Sequence, residues 1–293
     1  MLKASAFAPA HVTGFFEIHD EAEDLRKRGS RGVGICLTRG IHTNVEVSES
    51  EKQDIEVFIN NKKMMSPVTE FVVQRLMSDD CYKIKVKSEL DLPLGQGFGM
   101  SGANALSTSF ALAKALNLEL SKDDIVCVAH QAEIACRTGL GDVTPQSIGG
   151  MVIRKKEGCP PFGVVEKIEC EDVEIVLCVV GKELSTRDII TDPEHRRNIN
   201  KYGEESLKQL VKMPKLWEAI WLSLAFSKGT GLMSQDMEKA VMAARNFGLV
   251  SMAMLGNSVF AIGDTKNLVN ALQDFGEVYT CRIDRNGARI VAD

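Results

Sequence analysis

The stretch Leu94-Gly95-Gln96-Gly97-Phe98-Gly99-Met100-Ser101-Gly102-Ala103 places four glycines within eight residues. An alternating polar and apolar segment, Tyr82 to Lys87, precedes it, and an Ala/Leu-rich segment, Asn104 to Leu116, follows. The first pattern predicts a half-exposed strand and the second a helix. Glycine lacks a Cβ and tolerates positive φ, so such a loop can wrap a phosphate chain with its backbone N–H groups. The helix points its positive N-terminal end at the same place. Together these features predict an anion site, best suited to a nucleoside triphosphate.

Two common phosphate loops do not fit. A Walker A loop requires Gly-Lys-Ser/Thr, and no lysine occurs between Asp91 and Ala113. Gly97-x-Gly99-x-x-Gly102 matches the dinucleotide fingerprint, which requires a buried parallel strand before it and a βαβ unit around it. Here the preceding strand is amphipathic, Pro93 separates it from the loop, and a second helix follows the first. A plain glycine turn capping a helix is the remaining alternative.

Pro93-x-x-x-Gly97-Phe98-Gly99-Met100-Ser101-Gly102-Ala103 resembles the phosphate loop of the GHMP kinases, usually Pro-x-x-x-Gly-Leu-Gly-Ser-Ser-Ala. Ala8-Pro9-Ala10-His11-Val12-Thr13-Gly14 resembles their N-terminal motif, and Ser251 to Phe260 stands where their C-terminal glycine motif falls. Within that superfamily, Ala8 to Phe16 and Gly29-Ser30-Arg31-Gly32 are most similar to the archaeal pantoate kinases. The resemblance implies an α+β, two-domain GHMP kinase fold. Its N-terminal domain, over 1–165, would be like ribosomal protein S5 domain 2, and its C-terminal domain, over 166–293, ferredoxin-like.

The chain has 293 residues, 44% of them hydrophobic, and a net charge of −5. It is long enough to bury one large core or two modest ones. So mild a charge argues against nucleic acid or an anionic membrane as the main partner. Eight cysteines, none in a Cys-x-x-Cys pair, read as free thiols in a reducing compartment. Pro9 and His11 interrupt the only apolar run near the N-terminus, so a cytoplasmic protein is expected. The sequence does not report oligomeric state, and a homodimer stays open.

Strand patterns fall at Lys3 to Ala8, Gly34 to Leu37, Asn44 to Ser48, Ile55 to Ile59 and Tyr82 to Lys87. A helix is expected around Val68 to Met77, and another is opened by Ser121-Lys122-Asp123-Asp124, an N-cap with an acid at N3. A strand at Gly150 to Arg154 follows the loop Thr138 to Gly149. In the second half, strands are expected at Val173 to Val180, Leu249 to Met254, Ser258 to Ile262, Val278 to Ile283 and Ala288 to Val291. Helices are expected near Arg196 to Val211, Leu216 to Phe226, Asp236 to Phe247 and Thr265 to Phe275.

The resemblance implies ATP and Mg²⁺ in the cleft, the loop residues Pro93, Gly95, Gly97, Gly99, Met100, Ser101, Gly102 and Ala103 holding the nucleotide. Ser101 and Glu133 would be the Mg²⁺ ligands. Ser101 also reads as a helix N-cap, and Glu133 as an (i, i+4) partner of Arg137. Asp142, in a glycine-flanked loop before Gly149-Gly150, matches the catalytic aspartate that takes or orients the proton of the acceptor hydroxyl; the alternative is a turn aspartate. For the acid group of a hydroxy-acid acceptor, Arg154 is the first candidate, then Ser30 and Arg31, with His130 one turn before Glu133 as a substrate hydrogen bond. All four also have structural readings. His11 replaces the lysine or arginine common in the first motif, and Gly256-Asn257-Ser258 is poorer in glycine than the family form. The expected activity is phosphorylation of the primary hydroxyl of pantoate. The alternatives are a kinase for mevalonate, homoserine or shikimate, or a non-catalytic nucleotide or metabolite sensor.

Overall fold

The computed structural model of the protein describes residues 1–77, 81–182 and 186–292. Its frame is a long antiparallel pair, β1 (Leu2–His19) and β2 (Gly29–Glu49), in register from Leu2↔Val47 to His19↔Gly29. Three separate short strands were expected in these two segments. Bulges between Pro9 and Ala10 and between Thr13 and Phe15 explain the difference. The first leaves residues 38 and 39 of β2 unpaired and interrupts that strand, and the second leaves residue 14 unpaired and resets which face the following side chains take, while backbone pairing continues.

The first half continues through β3 (Asp54–Ile59), β4 (Lys62–Lys63), α1 (Pro67–Leu76), β5 (Tyr82–Leu90), α2 (Met100–Ala115), α3 (Lys122–Cys136), α4 (Val143–Ile148), β6 (Met151–Lys156) and β7 (Val164–Ile168). The sheet runs β4-β3-β5-β2-β1, with β6 also pairing β2, β7 pairing β6, and β12 (Arg289–Val291) closing the far edge on β1. Residue 165, where a domain division was expected, lies within β7. The capping box is formed: Ser121 accepts from the Asp124 N–H, and Asp124 accepts from the Ser121 N–H. Helix α2 packs against β1, β2, α1 and α3 and is buried along almost its whole length. Its alanines allow this close approach, while Leu106 and Leu112 are fully buried, each worth roughly 1.5–3 kcal/mol.

The second half builds β8 (Glu174–Val179), α5 (Thr186–Thr191), α6 (Pro193–Lys212), α7 (Leu216–Thr230), α8 (Gln235–Ala244), β9 (Gly248–Ala253), β10 (Ser258–Gly263), α9 (Thr265–Leu272) and β11 (Glu277–Arg282). The four strands form an antiparallel sheet in the order β11-β8-β10-β9, the ferredoxin-like arrangement. Cys127 and Cys159 were expected as free thiols and are instead joined by a disulfide, Cα–Cα 5.2 Å. They stand 32 residues apart, and only the packing of α3 against the turn before β7 brings them together. Cys36, Cys178 and Cys281 are buried free thiols. Among the described residues no helix is long and apolar enough to cross a membrane.

Candidate active site

One face of β1, β2 and β6 forms the floor of a cavity. The register pairs Thr13 with Gly34 and Phe16 with Gly32, and Gly32 in turn with Arg154 of β6. Because residue 14 is bulged out, Phe16 returns to the face that carries His11 and Thr13. Thr13, Phe16, Ser30 and Arg154 all line the cavity. A Cβ on Gly34 would collide with the His11 ring, so only glycine leaves room for that imidazole.

The glycine-rich loop forms the opposite wall. Gly99 is the N-cap of α2 in the left-handed region at φ 60°, a conformation glycine takes without strain. Ser101, which had also read as the N-cap, is the second residue of the helix and borders the cavity with Gly95, Gly97, Gly99 and Met100. Pro93, Gly102 and Ala103 do not border it. The loop is tied down on three sides. The His11 N–H donates to the Phe98 carbonyl at 2.9 Å, Gln146 Nε2 to the Gly99 carbonyl at 2.8 Å, and the Ser258 hydroxyl to the Gln96 carbonyl at 2.5 Å. The glycine-poor segment at 256–258 therefore packs against the loop, with Met254 and Leu255 lining the cavity.

Two carboxylates and one guanidinium meet between these walls. The Asp142 carboxylate accepts from His11 Nδ1 at 2.7 Å and from the Thr13 hydroxyl at 3.1 Å, and makes no cap bond to its own backbone. Burial alone would raise its pKa, but His11, Arg154 and Thr13 together hold it below the usual carboxylate value. A carboxylate only accepts, so His11 Nδ1 carries the hydrogen. Burial lowers the His11 pKa, and the hydrogen bond and charge of Asp142 oppose that shift. Asp142 faces the loop: its Cγ lies 3.2 Å from where a Cβ on Gly99 would stand.

Glu133 comes from the last turn of α3, and glycine at 139 leaves the space that its carboxyl occupies. One oxygen lies 2.9 Å from the Cβ position of Gly102, beside the first turn of α2. Both oxygens are buried without a hydrogen-bond partner. Burial, then the charge of Asp142, pushes this carboxyl well above its ordinary pKa. The alternative ion pair is not formed, since Arg137 is the exposed C-cap in a left-handed turn. Arg154 is 2% exposed, with Nε and Nη1 unpartnered. Ser30 Oγ and Arg154 Nε flank Gly141 together. The arrangement is a glycine-rich loop at a helix N-terminus, an aspartate held below its ordinary pKa, a buried glutamate and a buried arginine around one cavity.

Residues 66–150 match the family model "GHMP kinases N terminal domain". The pantoate kinase of Methanocaldococcus jannaschii is 37% identical over 280 residues, covering 94% of this chain and 99% of its own. That of Thermococcus kodakarensis is 32% identical, covering 94% and 96%. The chain belongs to the pantoate kinase family. A solved structure described as a phosphotransferase related to the CoA biosynthesis pathway superposes with a TM-score of 0.89 at 27% identity, over 99% of both chains.

Two of the residues expected to meet the acceptor in this pantoate kinase family member, His130 and Arg31, also lie outside the cavity. His130 is 1% exposed and its Nε2 is bonded to the Arg28 carbonyl at 2.9 Å; burial lowers its pKa to about 4. It shares a helix with Glu133, but a backbone carbonyl has taken its ring. Arg31 follows Ser30 on β2, so strand alternation turns it away, and its Nε donates to Glu157 at 2.6 Å. His11 and Thr13, conversely, were not singled out as site residues. Their signal was the first motif itself, where histidine stands at the position of the usual cation. Replacing His11 with Leu should move the acidic limb of the kcat/KM–pH profile upward by about one unit. A lost hydrogen bond to the charged form raises the Asp142 pKa, and initial rates from pH 4 to 8 check the direction.

Proposed function

We propose that the protein transfers the γ-phosphoryl group of ATP to the primary hydroxyl of pantoate, giving 4-phosphopantoate and ADP. The observation that carries this reading is Asp142, held ionised by His11 and Thr13 between the phosphate loop and the unpaired Arg154. Loop N–H groups and the α2 N-terminus neutralise the polyphosphate. Asp142 accepts the hydroxyl proton as the oxygen–phosphorus bond forms and the bond to the ADP oxygen breaks. Arg154, with Ser30 beside it, binds the pantoate carboxylate bidentately and fixes the acceptor in line.

The residues fit Mg²⁺. Glu133 presents two buried oxygens with no partner, and Ser101 a hydroxyl bordering the same cavity. Mg²⁺ in such sites is held by one or two protein oxygens together with phosphates and water. When bound, it would neutralise charge on the β- and γ-phosphates.

Arg154→Lys keeps the charge but loses the planar fork. It should raise KM for pantoate roughly 10- to 100-fold with little change in KM for ATP. The function is tested by ADP release from Mg-ATP with pantoate, mevalonate, homoserine and shikimate. Turnover with pantoate is expected, and turnover with another acceptor alone would overturn the assignment.

A further inference from the structure

An apolar wall stands where the acceptor must lie, and nothing in the phosphoryl-transfer chemistry uses it. Phe16 and Arg154 occupy one row of the sheet with only Gly32 between them, so the ring and the guanidinium share a face with no side chain separating them. The bulge at Gly14 makes this so, since an unbroken strand would present Phe15 there instead. Leu140 precedes Gly141, the residue that Ser30 Oγ and Arg154 Nε flank. Phe16 and Leu140 both line the cavity with Ser30, Asp142 and Arg154, and each is nearly buried, at 3% and 7% exposed.

An acid bound by Arg154, with its hydroxyl at Asp142, lays its intervening carbons in a cavity whose apolar lining includes Phe16 and Leu140. A linear hydroxy acid fills such a space poorly, whereas a quaternary carbon bearing two methyl groups fills it and removes apolar surface from water. We propose that Phe16 and Leu140 are specificity-determining residues that select a dimethyl-branched acceptor over its unbranched counterpart. This rests on the kinase reading above and adds how the acceptor's carbon skeleton is read.

The test compares kcat/KM for pantoate and for 2,4-dihydroxybutanoate, which lacks the two methyls, in wild-type protein, Leu140→Ala, Phe16→Leu and Phe16→Ala. Wild type should prefer pantoate by about 10- to 200-fold per methyl-sized contact that the wall supplies. Each variant should narrow that preference by roughly 10-fold, through a higher KM for pantoate and little change for the unbranched acid. Phe16 also packs on Phe226, ring centroids 5.9 Å apart, so Phe16→Ala risks the fold, and Phe16→Leu and Leu140→Ala keep the question answerable. Equal losses on both acceptors, or an unchanged preference in folded variants, would overturn the wall's role. Wild-type turnover of neither acceptor would instead overturn the kinase reading itself.

Discussion

Asp142→Asn is expected to lower kcat by roughly 1,000-fold while leaving the protein folded and KM for ATP nearly unchanged. The amide keeps the shape of the carboxyl, and its oxygen can still accept from His11 and Thr13, the two groups that hold Asp142. What it cannot do is take a proton from the acceptor hydroxyl. The loss should therefore appear in kcat rather than in binding, and the acidic limb of the pH profile should disappear. Because the folded-state pKa of Asp142 is depressed, its stabilising contribution is present above the ordinary carboxylate value and lost as pH falls below it. Near neutral pH the variant forfeits that contribution, a modest fall in Tm. ADP release and thermal unfolding on the same samples check both halves; near-wild-type kcat would remove Asp142 from the chemistry.

Glu133→Gln should separate function from stability in the opposite direction. Its carboxyl is fully buried, both oxygens are unpartnered, and burial raises its pKa. A group whose pKa is higher in the folded than in the unfolded state stabilises the fold least once the unfolded chain ionises. Stability therefore falls as pH rises from the ordinary glutamate value toward the raised one. Glutamine removes that penalty, so the metal-free variant should be more stable by about 1–3 kcal/mol at neutral pH and above. Its activity should fall by at least roughly 100-fold. Magnesium with a nucleotide should raise the Tm of wild type and leave that of Glu133→Gln nearly unmoved. A variant that is both less stable and equally responsive to magnesium would contradict the assigned role.

The elements with a clean period were legible in sequence. The α3 N-cap follows from Ser121 and Asp124, and β8 to β11 with α6 to α9 fall within a few residues of their patterns. Hydrophobic runs and turn residues announce such elements without tertiary information. The β1–β2 pair was harder, because bulges at Gly14 and near Pro9 break the alternation from which strands are read. The bulge at Gly14 also places Phe16 beside Arg154, so the part of the site hardest to see in sequence is the part that the irregularity builds. Helices as short as α4, six residues, carry too little periodicity to register.

Within the site, Gly95, Gly97, Gly99, Met100, Ser101, Glu133, Asp142 and Arg154 border one cavity. His130 and Arg31 do not, and both failed for local reasons. A carbonyl at Arg28 captured the first, and strand alternation directed the second to Glu157. Neither a carbonyl's direction nor a strand's phase is written in a motif. The Cys127–Cys159 disulfide escaped for a related reason, since spacing alone does not show which helix face meets which turn.

The most direct measurement is the position of the phosphoryl group in the product formed from ATP and pantoate, read by proton-coupled phosphorus NMR. Transfer to the primary hydroxyl, with Arg154 holding the carboxylate end away from Asp142, couples the phosphorus to two methylene protons. That spectrum is the result expected. Coupling to the single proton beside the carboxylate, or no phosphorylated pantoate at all, would contradict the account.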